Sequence, residues 1–152
     1  MTSKLLLALL TFALISPASA QVKSEDAIKW RQSGYAFMAW NMSRIKANVD
    51  GAYNKDEVIR AANAIQAIAN SGMGALYLPG TETGSGWKAT RVKEDLFTDR
   101  EGVGKVAGDF NKEANQMAKV AASGNAAAVK AQFGKLGQTC KGCHDKYRKD
   151  EN

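Results

Sequence analysis

The sequence predicts an all-α protein, an antiparallel up-down-up-down four-helix bundle, from three observations. Apolar residues recur at steps of three and four along four separate stretches, which is the spacing of one helix face. No stretch alternates apolar and polar residues in the manner of a half-buried strand. A short break at Gly51 separates the first stretch from the second, and one at Gly124 separates the third from the fourth. Such short connections favour antiparallel neighbours.

The first helix is predicted to begin at Ser24, as its capping residue, and to end near Asp50, just before Gly51. Glu25 and Asp26 lie in its first turn, where negative charge favours the positive end of the helix dipole. The residues expected to face the core are Ile28, Tyr35, Met38, Met42, Ile45 and Val49.

The second helix is predicted to open at Asn54, with Glu57 three residues later, and to close at Ser71 and Gly72. Its inner face is expected to carry Val58, Ala61, Ala62, Ile65, Ile68 and Ala69. The helix is rich in alanine, which permits close backbone approach, so its alanines and the first helix are the candidate dimer face. Those alanines are Ala61, Ala62, Ala64, Ala67 and Ala69.

Residues 72–97, called the crossover below, break the helical pattern. They contain several glycines and the turn Pro79-Gly80. A connection this long inside a compact domain is usually functional or packed over something.

The last two helices complete the predicted bundle. Thr98 and Glu101 resemble a capping box for the third helix, and Asn125 is expected to cap the fourth after the break at Gly124. The third helix is expected to bury Val103, Val106, Phe110, Met117 and Val120. The fourth carries an alternating four- and three-residue seam, typical of packing at about +20°. That seam comprises Val129, Phe133, Leu136, Cys140, Cys143 and Tyr147.

Composition excludes several classes of protein. A chain of 152 residues, 45% hydrophobic, is long enough to bury one core without disulfide support, and two cysteines are too few for a disulfide framework. A single histidine excludes metal sites built from several histidines. The net charge of +6 comes from scattered lysines and arginines, which favours a solvated surface, or docking to an acidic partner protein, over nucleic-acid binding.

Residues 1–20 have the pattern of a cleaved secretory signal peptide. Lys4 precedes an apolar run over residues 5–15, and Pro17 to Ala20 end in an A-x-A site. The run is shorter than the ~20 residues that a membrane-spanning helix needs, although an uncleaved anchor is the alternative. We therefore expect residues 21–152 to form one domain in the periplasm, without membrane insertion.

The segment Cys140-Lys141-Gly142-Cys143-His144 is a C-x-x-C-H signature of covalent haem c attachment. The two thiols form thioethers with the haem vinyl groups, and the imidazole ligates iron. Residues i, i+3 and i+4 share one helix face, so all three can reach one macrocycle, one haem per chain. The alternatives are a redox-active cysteine pair, a zinc site lacking its fourth ligand, and an unreactive apolar pair with a core histidine.

The sixth coordination position is left open by the residues alone. His144 is the single histidine, so ligation by two histidines of one chain is excluded. The remaining candidates are no ligand at all or one of the methionines Met38, Met42, Met73 and Met117. Methionines are more often core residues than ligands.

Three segments of the chain resemble bacterial cytochrome c′: residues 25–35, residues 78–82 and residues 140–148. The C-terminal position of C-x-x-C-H separates this family from small cytochromes c, in which the motif lies near the N-terminus. The resemblance implies a four-helix bundle, usually a homodimer, with a five-coordinate high-spin haem. It also implies that the open haem face binds nitric oxide and carbon monoxide.

The resemblance assigns roles to residues of the first helix. Arg31 and Gln32 correspond to partners of the haem propionates, and a guanidinium suits a carboxylate. Tyr35 corresponds to the side chain that covers the vacant iron site. The alternatives are a surface charge for Arg31 and a simple core residue for Tyr35.

Further positions follow from the same resemblance. Arg148 corresponds to a basic group beside the axial imidazole, and a solvated arginine is the alternative. Thr90 and Arg91 are placed by a looser alignment as further propionate partners.

The function expected from these residues is a periplasmic haem protein that binds nitric oxide and carbon monoxide and carries electrons to a redox partner protein. The alternative is a low-spin electron carrier in which Met38 or Met42 is the sixth ligand of a His/Met haem. A peroxidase-like enzyme is disfavoured because no second histidine exists to serve as an acid–base group on the distal side.

Overall fold

The computed structural model describes residues 22–150, so the predicted signal peptide lies outside the described residues. Regular structure in this range is helical, apart from two isolated bridges, Ser85–Ala89 and Val92–Arg148. The helices are α1 Ser24–Asp50, α2 Lys55–Ala69, the 3₁₀ turn Met73–Leu76, α3 Asp95–Thr98, α4 Arg100–Ser123 and α5 Ala126–Tyr147.

The four long helices form a closed ring, in which α1 packs on α2 and α5, and α4 packs on the same two helices. Side-chain pairs show that neighbours are antiparallel. Lys130 at the start of α5 lies 3.3 Å from Asp50 at the end of α1. A Cβ atom on Gly124, at the end of α4, would lie 2.7 Å from Cδ of Lys55, at the start of α2. Gly124, in the left-handed conformation with φ 75°, reverses the chain between α4 and α5. The predicted four-helix bundle is confirmed.

Two predicted helix caps are present. The Asn54 side chain accepts from the Glu57 amide over 3.0 Å, and the Asn125 side chain accepts from the Ala128 amide over 2.9 Å. Each bond satisfies one of the amides that an isolated helix start leaves unpaired.

The other two cap predictions are wrong by one residue. Lys23 occupies the capping position of α1 without a side-chain bond, so Ser24 lies inside the helix. Thr98 ends the short helix α3, and the Asp99 side chain caps α4 by accepting from the Gly102 amide over 2.9 Å. The Asp99 carboxylate, four residues before Val103, the first residue expected to be buried, competed with the threonine and made the stronger cap.

The core lies between the long helices, and the half-buried Cys140 and Cys143 are not among its buried members. Its buried members are Met38, Ile45, Val58, Ala61, Ala62, Ile65, Ala114, Met117, Ala121, Val129 and Leu136. Alanines from α2 and α4 let these helices pack closely. Ala61 and Ala62 are fully buried within one chain, so the interpretation of the α2 alanines as a dimer face is wrong for these two.

The crossover packs over α1 and over the end of α5. At Gly86 a Cβ atom would lie 2.6 Å from the Lys29 backbone nitrogen, so only glycine permits this approach to α1. Backbone bonds join the crossover to α5: the Lys93 amide donates to the Tyr147 carbonyl over 2.9 Å. The crossover therefore joins the first half of α1 to the helix that carries C-x-x-C-H.

No helix among residues 22–150 is both long enough and apolar enough to cross a membrane.

Candidate functional site

The last two turns of α5 carry Cys140, Cys143 and His144. Both thiols are half-buried and form no disulfide. Burial raises the pKa of each thiol, so both are protonated at neutral pH. Desolvation and, next, the charge of Arg91 lower the pKa of His144, which favours the neutral imidazole that a metal requires.

These donors fit a c-type haem better than a protein-only metal site. Within residues 22–150 no group of three or more His, Cys, Asp and Glu side chains is arranged to hold a metal ion. Two thiols three residues apart and an adjacent neutral imidazole match two thioether bonds and one axial ligand. The redox-pair alternative requires a cysteine with a lowered pKa, whereas both thiols here have raised values.

Arg148 lies beside the imidazole of His144. Its terminal nitrogen is 3.2 Å from Nδ1, and its backbone amide donates to the His144 carbonyl over 3.1 Å. The structure thus places Arg148 next to His144, and its role beside an axial ligand stays a prediction.

Arg31 is buried, at 3% exposure, which excludes its interpretation as a surface charge. Its guanidinium donates to the Thr81 hydroxyl over 2.7 Å, the Thr81 carbonyl over 2.6 Å, the Thr90 hydroxyl over 2.8 Å and the Leu76 carbonyl over 3.3 Å. All four acceptors belong to the crossover. Arg31 therefore fixes the crossover on α1, and its predicted role toward propionates stays a prediction.

Gln32 makes a second set of bonds between α1 and the crossover. Its amide donates to the Lys88 carbonyl over 2.9 Å, and its oxygen accepts from the Trp87 amide over 2.8 Å. The Trp87 indole donates to the Ser33 hydroxyl over 2.8 Å, although the ring is 73% exposed. The propionate role of Gln32 stays a prediction as well.

Tyr35 lies on α1, one turn beyond Arg31, and is 43% exposed. Its hydroxyl accepts from the Tyr77 hydroxyl over 3.0 Å. Burial raises the pKa of its phenol above the ordinary value, and the hydrogen bond from Tyr77 offsets part of that rise. Tyr35 is therefore a neutral phenol at neutral pH.

The crossover brings Thr90 and Arg91 to the same region. Thr90 contacts Arg31 as described, and the Arg91 carbonyl accepts from the Lys149 amide over 2.7 Å. Arg91 is also near enough to His144 to lower its pKa. All the predicted site residues therefore gather at one end of the bundle, around α1, the crossover and the end of α5.

Two residues of this region were not predicted from the sequence, Tyr77 and Thr81. Thr81 lies within residues 78–82, one of the segments that resemble cytochrome c′, and Tyr77 directly precedes them. That resemblance was the sequence feature that could have identified both residues. Their partners in α1 are 42 and 50 residues away, so no local pattern relates them.

The four methionines within residues 22–150 pack inside the bundle or against its core. Met38 and Met117 belong to the core, and Met42 and Met73 pack against it. Met73 also lies over Gly34, where a Cβ atom would approach its Cε to 2.8 Å.

Comparison with known proteins agrees with this site. The model of the family described as Cytochrome C′ matches residues 26–148. The cytochrome c′ of Rhodocyclus tenuis is 65% identical over 130 residues, 85% of this chain and 98% of that protein. The cytochrome c′ of Allochromatium vinosum is 53% identical over 141 residues, 92% of each chain.

Solved structures agree as well. The cytochrome c′ of Thermochromatium tepidum has a TM-score of 0.82 at 55% identity, covering 86% of this chain and all of that one. A cytochrome c′ with an unusual ligand-controlled dimer dissociation has a TM-score of 0.83 at 54% identity, with the same coverage. Variants from Alcaligenes xylosoxidans, TM-score 0.75, contain bound carbon monoxide or nitric oxide. They are 27% and 26% identical and cover 85% and 86% of this chain and 98% of their own.

Proposed function

The chain belongs to the cytochrome c′ family, and from that premise we propose that it is a periplasmic protein that binds nitric oxide and carbon monoxide at one covalently attached haem c. Family membership implies a c-type haem. The observation that carries the proposal is the joint position of Cys140, Cys143 and His144 on α5, at the end of the bundle where Tyr35 of α1 and the crossover also lie.

In this proposal Cys140 and Cys143 would hold the haem through thioether bonds, and His144 would ligate its iron. The haem, when bound, supplies an iron coordination site for a neutral diatomic ligand. The side chains set the surroundings of that site. Tyr35, neutral because its pKa is raised, covers it without offering an anionic oxygen, and its ring excludes water.

A five-coordinate, high-spin iron is the second part of the proposal. It is supported by the packing of Met38 inside the core and of Met42 against it, because moving either to an iron would leave a cavity. The chain offers no second histidine.

Binding of nitric oxide and carbon monoxide is supported by the Alcaligenes xylosoxidans structures that contain each gas. We propose that the protein binds these gases and transfers electrons to an acidic redox partner. We do not propose an enzymatic reaction. Arg91, Lys93, Arg148 and Lys149 lie beside His144 or along the adjoining crossover and C-terminus, where they supply positive charge for such a partner. The periplasmic location rests on the N-terminal signal pattern.

A homodimer is the remaining part of the proposal, supported by the relative whose dimer dissociates under ligand control. The outer face of α1 carries Trp30, Phe37 and Trp40, which are 53%, 49% and 53% exposed. They recur at steps of seven and three and form one row, called the aromatic row below. We assign the dimer contact to this row, because an exposed row of large aromatic rings is typical of an interface.

The test is the optical and electron paramagnetic resonance spectrum of the purified ferric protein at neutral pH, followed by addition of carbon monoxide after reduction. We expect a high-spin five-coordinate signature and a spectral change on carbon monoxide binding. A low-spin spectrum with a sulfur-to-iron band contradicts the proposal. Met38→Leu and Met42→Leu then show which methionine is the ligand, and Met117→Leu, a core position in α4, is the matched control.

A further inference from the structure

A hydrogen bond between two phenols spans the gap between α1 and the crossover. The Tyr77 hydroxyl donates to the Tyr35 hydroxyl over 3.0 Å, although the residues are 42 positions apart in sequence. Within residues 22–150 this is the one hydrogen bond that the Tyr35 side chain makes. The orientation of Tyr35, the covering side chain, therefore depends on Tyr77.

Tyr77 is itself held from two sides. The Arg31 guanidinium carbon lies 4.8 Å from the centre of the Tyr77 ring, which is close enough for a cation–π contact. Arg31 also donates to the carbonyl of the preceding residue, Leu76, and the Tyr77 amide donates to Gly74 over 3.2 Å at the end of the 3₁₀ turn. Because Arg31 is buried and bonded four times, Tyr77 is anchored to the body of the bundle.

The bond persists at neutral pH, because both phenols keep their protons. Burial raises the pKa of Tyr77 and of Tyr35 above the ordinary value, so neither forms a phenolate that would repel the other. The pair is thus a neutral hydrogen bond between one anchored ring and one half-exposed ring.

We propose that Tyr77 is a positioning residue that holds Tyr35 over the ligand face of the site, so that an entering diatomic ligand must break the Tyr77–Tyr35 hydrogen bond. The inference rests on the proposed function and names the residue that regulates entry to the same site. The net strength of a neutral hydrogen bond corresponds to about a two- to tenfold change in a rate constant. Tyr77 therefore sets a measurable part of the barrier to entry.

The experiment measures the rate of carbon monoxide association with the reduced, haem-loaded protein by stopped flow. It compares the wild type with Tyr35→Phe, Tyr77→Phe and the double variant. All three variants lose the same bond and keep both rings. We expect all three to bind about two- to tenfold faster than the wild type, with no further gain in the double variant.

Tyr53→Phe is the matched control. The Tyr53 hydroxyl is buried without a hydrogen-bond partner among the described residues, and the residue packs against the core beside the loop between α1 and α2. The substitution removes a phenol hydroxyl away from the site, and we expect the rate constant for carbon monoxide association to stay at the wild-type value.

A second readout is the free energy of unfolding in guanidinium, measured for the same four haem-loaded proteins. It gives the coupling between Tyr35 and Tyr77 in the absence of any gas. We expect non-additive effects there as well. The positioning role is overturned if the two substitutions have additive effects on the logarithm of the association rate constant, or if Tyr77→Phe binds at the wild-type rate. Either result overturns it even when the unfolding cycle shows coupling. A wild type that takes up no carbon monoxide overturns the proposed function and this inference together.

Discussion

Thr81 shows how one small side chain supports the site. It is fully buried, its hydroxyl accepts from Arg31 over 2.7 Å and donates to the Leu78 carbonyl over 2.7 Å, and its carbonyl accepts a second bond from Arg31. A buried guanidinium needs such acceptors, because an unpaired buried charge is strongly destabilising. Thr81 thus lets a charged residue lie between α1 and the crossover.

Thr81→Val should therefore destabilise the protein. Valine has nearly the same shape but cannot accept a bond from Arg31, so we expect the free energy of unfolding to fall by about 2 kcal/mol. Guanidinium denaturation followed by circular dichroism measures it. Thr83→Val, at an exposed position two residues away, is the control and should change the value by less than about 0.5 kcal/mol. Equal effects of the two substitutions would contradict the assigned role of Thr81.

At the scale of elements, the Asp99 side chain joins the start of α4 to the end of α5. It accepts from the Gly102 amide, from the Tyr147 hydroxyl over 2.7 Å and from Lys146 over 2.5 Å. A Cβ atom at Gly102 would collide with Asp99 and with the Tyr147 hydroxyl, so glycine is required there. This group of residues holds the helix that carries His144 against its neighbour.

The charge of Asp99 makes stability depend on pH. The bonds from Lys146, Tyr147 and the Gly102 amide, in that order, lower its pKa from 3.8 to about 2. Because the folded value is depressed, its contribution is complete above pH 4 and is lost as the pH falls from about 4 to about 2. We expect Asp99→Asn, which can still cap α4, to lower the melting temperature at pH 7 and to match the wild type near pH 2.

The control for that measurement is Asp109→Asn. Asp109 pairs with Lys105 over 2.7 Å on the exposed face of one helix, and such surface pairs contribute little. A melting-temperature difference for Asp99→Asn that is the same at pH 7 and pH 2 would show that the lost charge is not the cause.

At the scale of the whole molecule, the aromatic row and Tyr35 lie on the same helix. The Phe37 and Trp40 rings are 5.3 Å apart, and the Arg44 guanidinium lies 4.7 Å from the Trp40 ring. Tyr35 precedes Phe37 by two residues, toward the site. Tyr35 and the proposed dimer contact therefore lie on the same helix, so a movement of Tyr35 occurs on the helix that forms the contact.

Phe37→Glu tests that assignment. A carboxylate in the middle of an apolar interface must be desolvated, so we expect the dimer dissociation constant to rise by at least about tenfold in sedimentation equilibrium. Ala67→Glu, on the exposed face of α2, is the control and should leave the constant unchanged. If Ala67→Glu raised the dissociation constant and Phe37→Glu did not, the dimer contact would lie on α2 instead of α1.

The bundle was predictable from local patterns. Helix periodicity depends on residues three and four apart, so the four long helices and the caps at Asn54 and Asn125 were correct. The C-x-x-C-H segment is likewise local, since its three groups share one turn of α5. The caps of α1 and α4 failed because neighbouring residues compete for a helix start at nearly equal free energy.

Only the tertiary structure decided how the crossover meets α1. Arg31 could be read as a surface charge until its acceptors at Thr81 and Thr90, 50 and 59 residues away, were in place. The same holds for the Tyr77–Tyr35 bond and for the burial of the α2 alanines. A sequence specifies which face of a helix is apolar, but the partner of a buried polar group depends on which distant segments folding brings within hydrogen-bond distance.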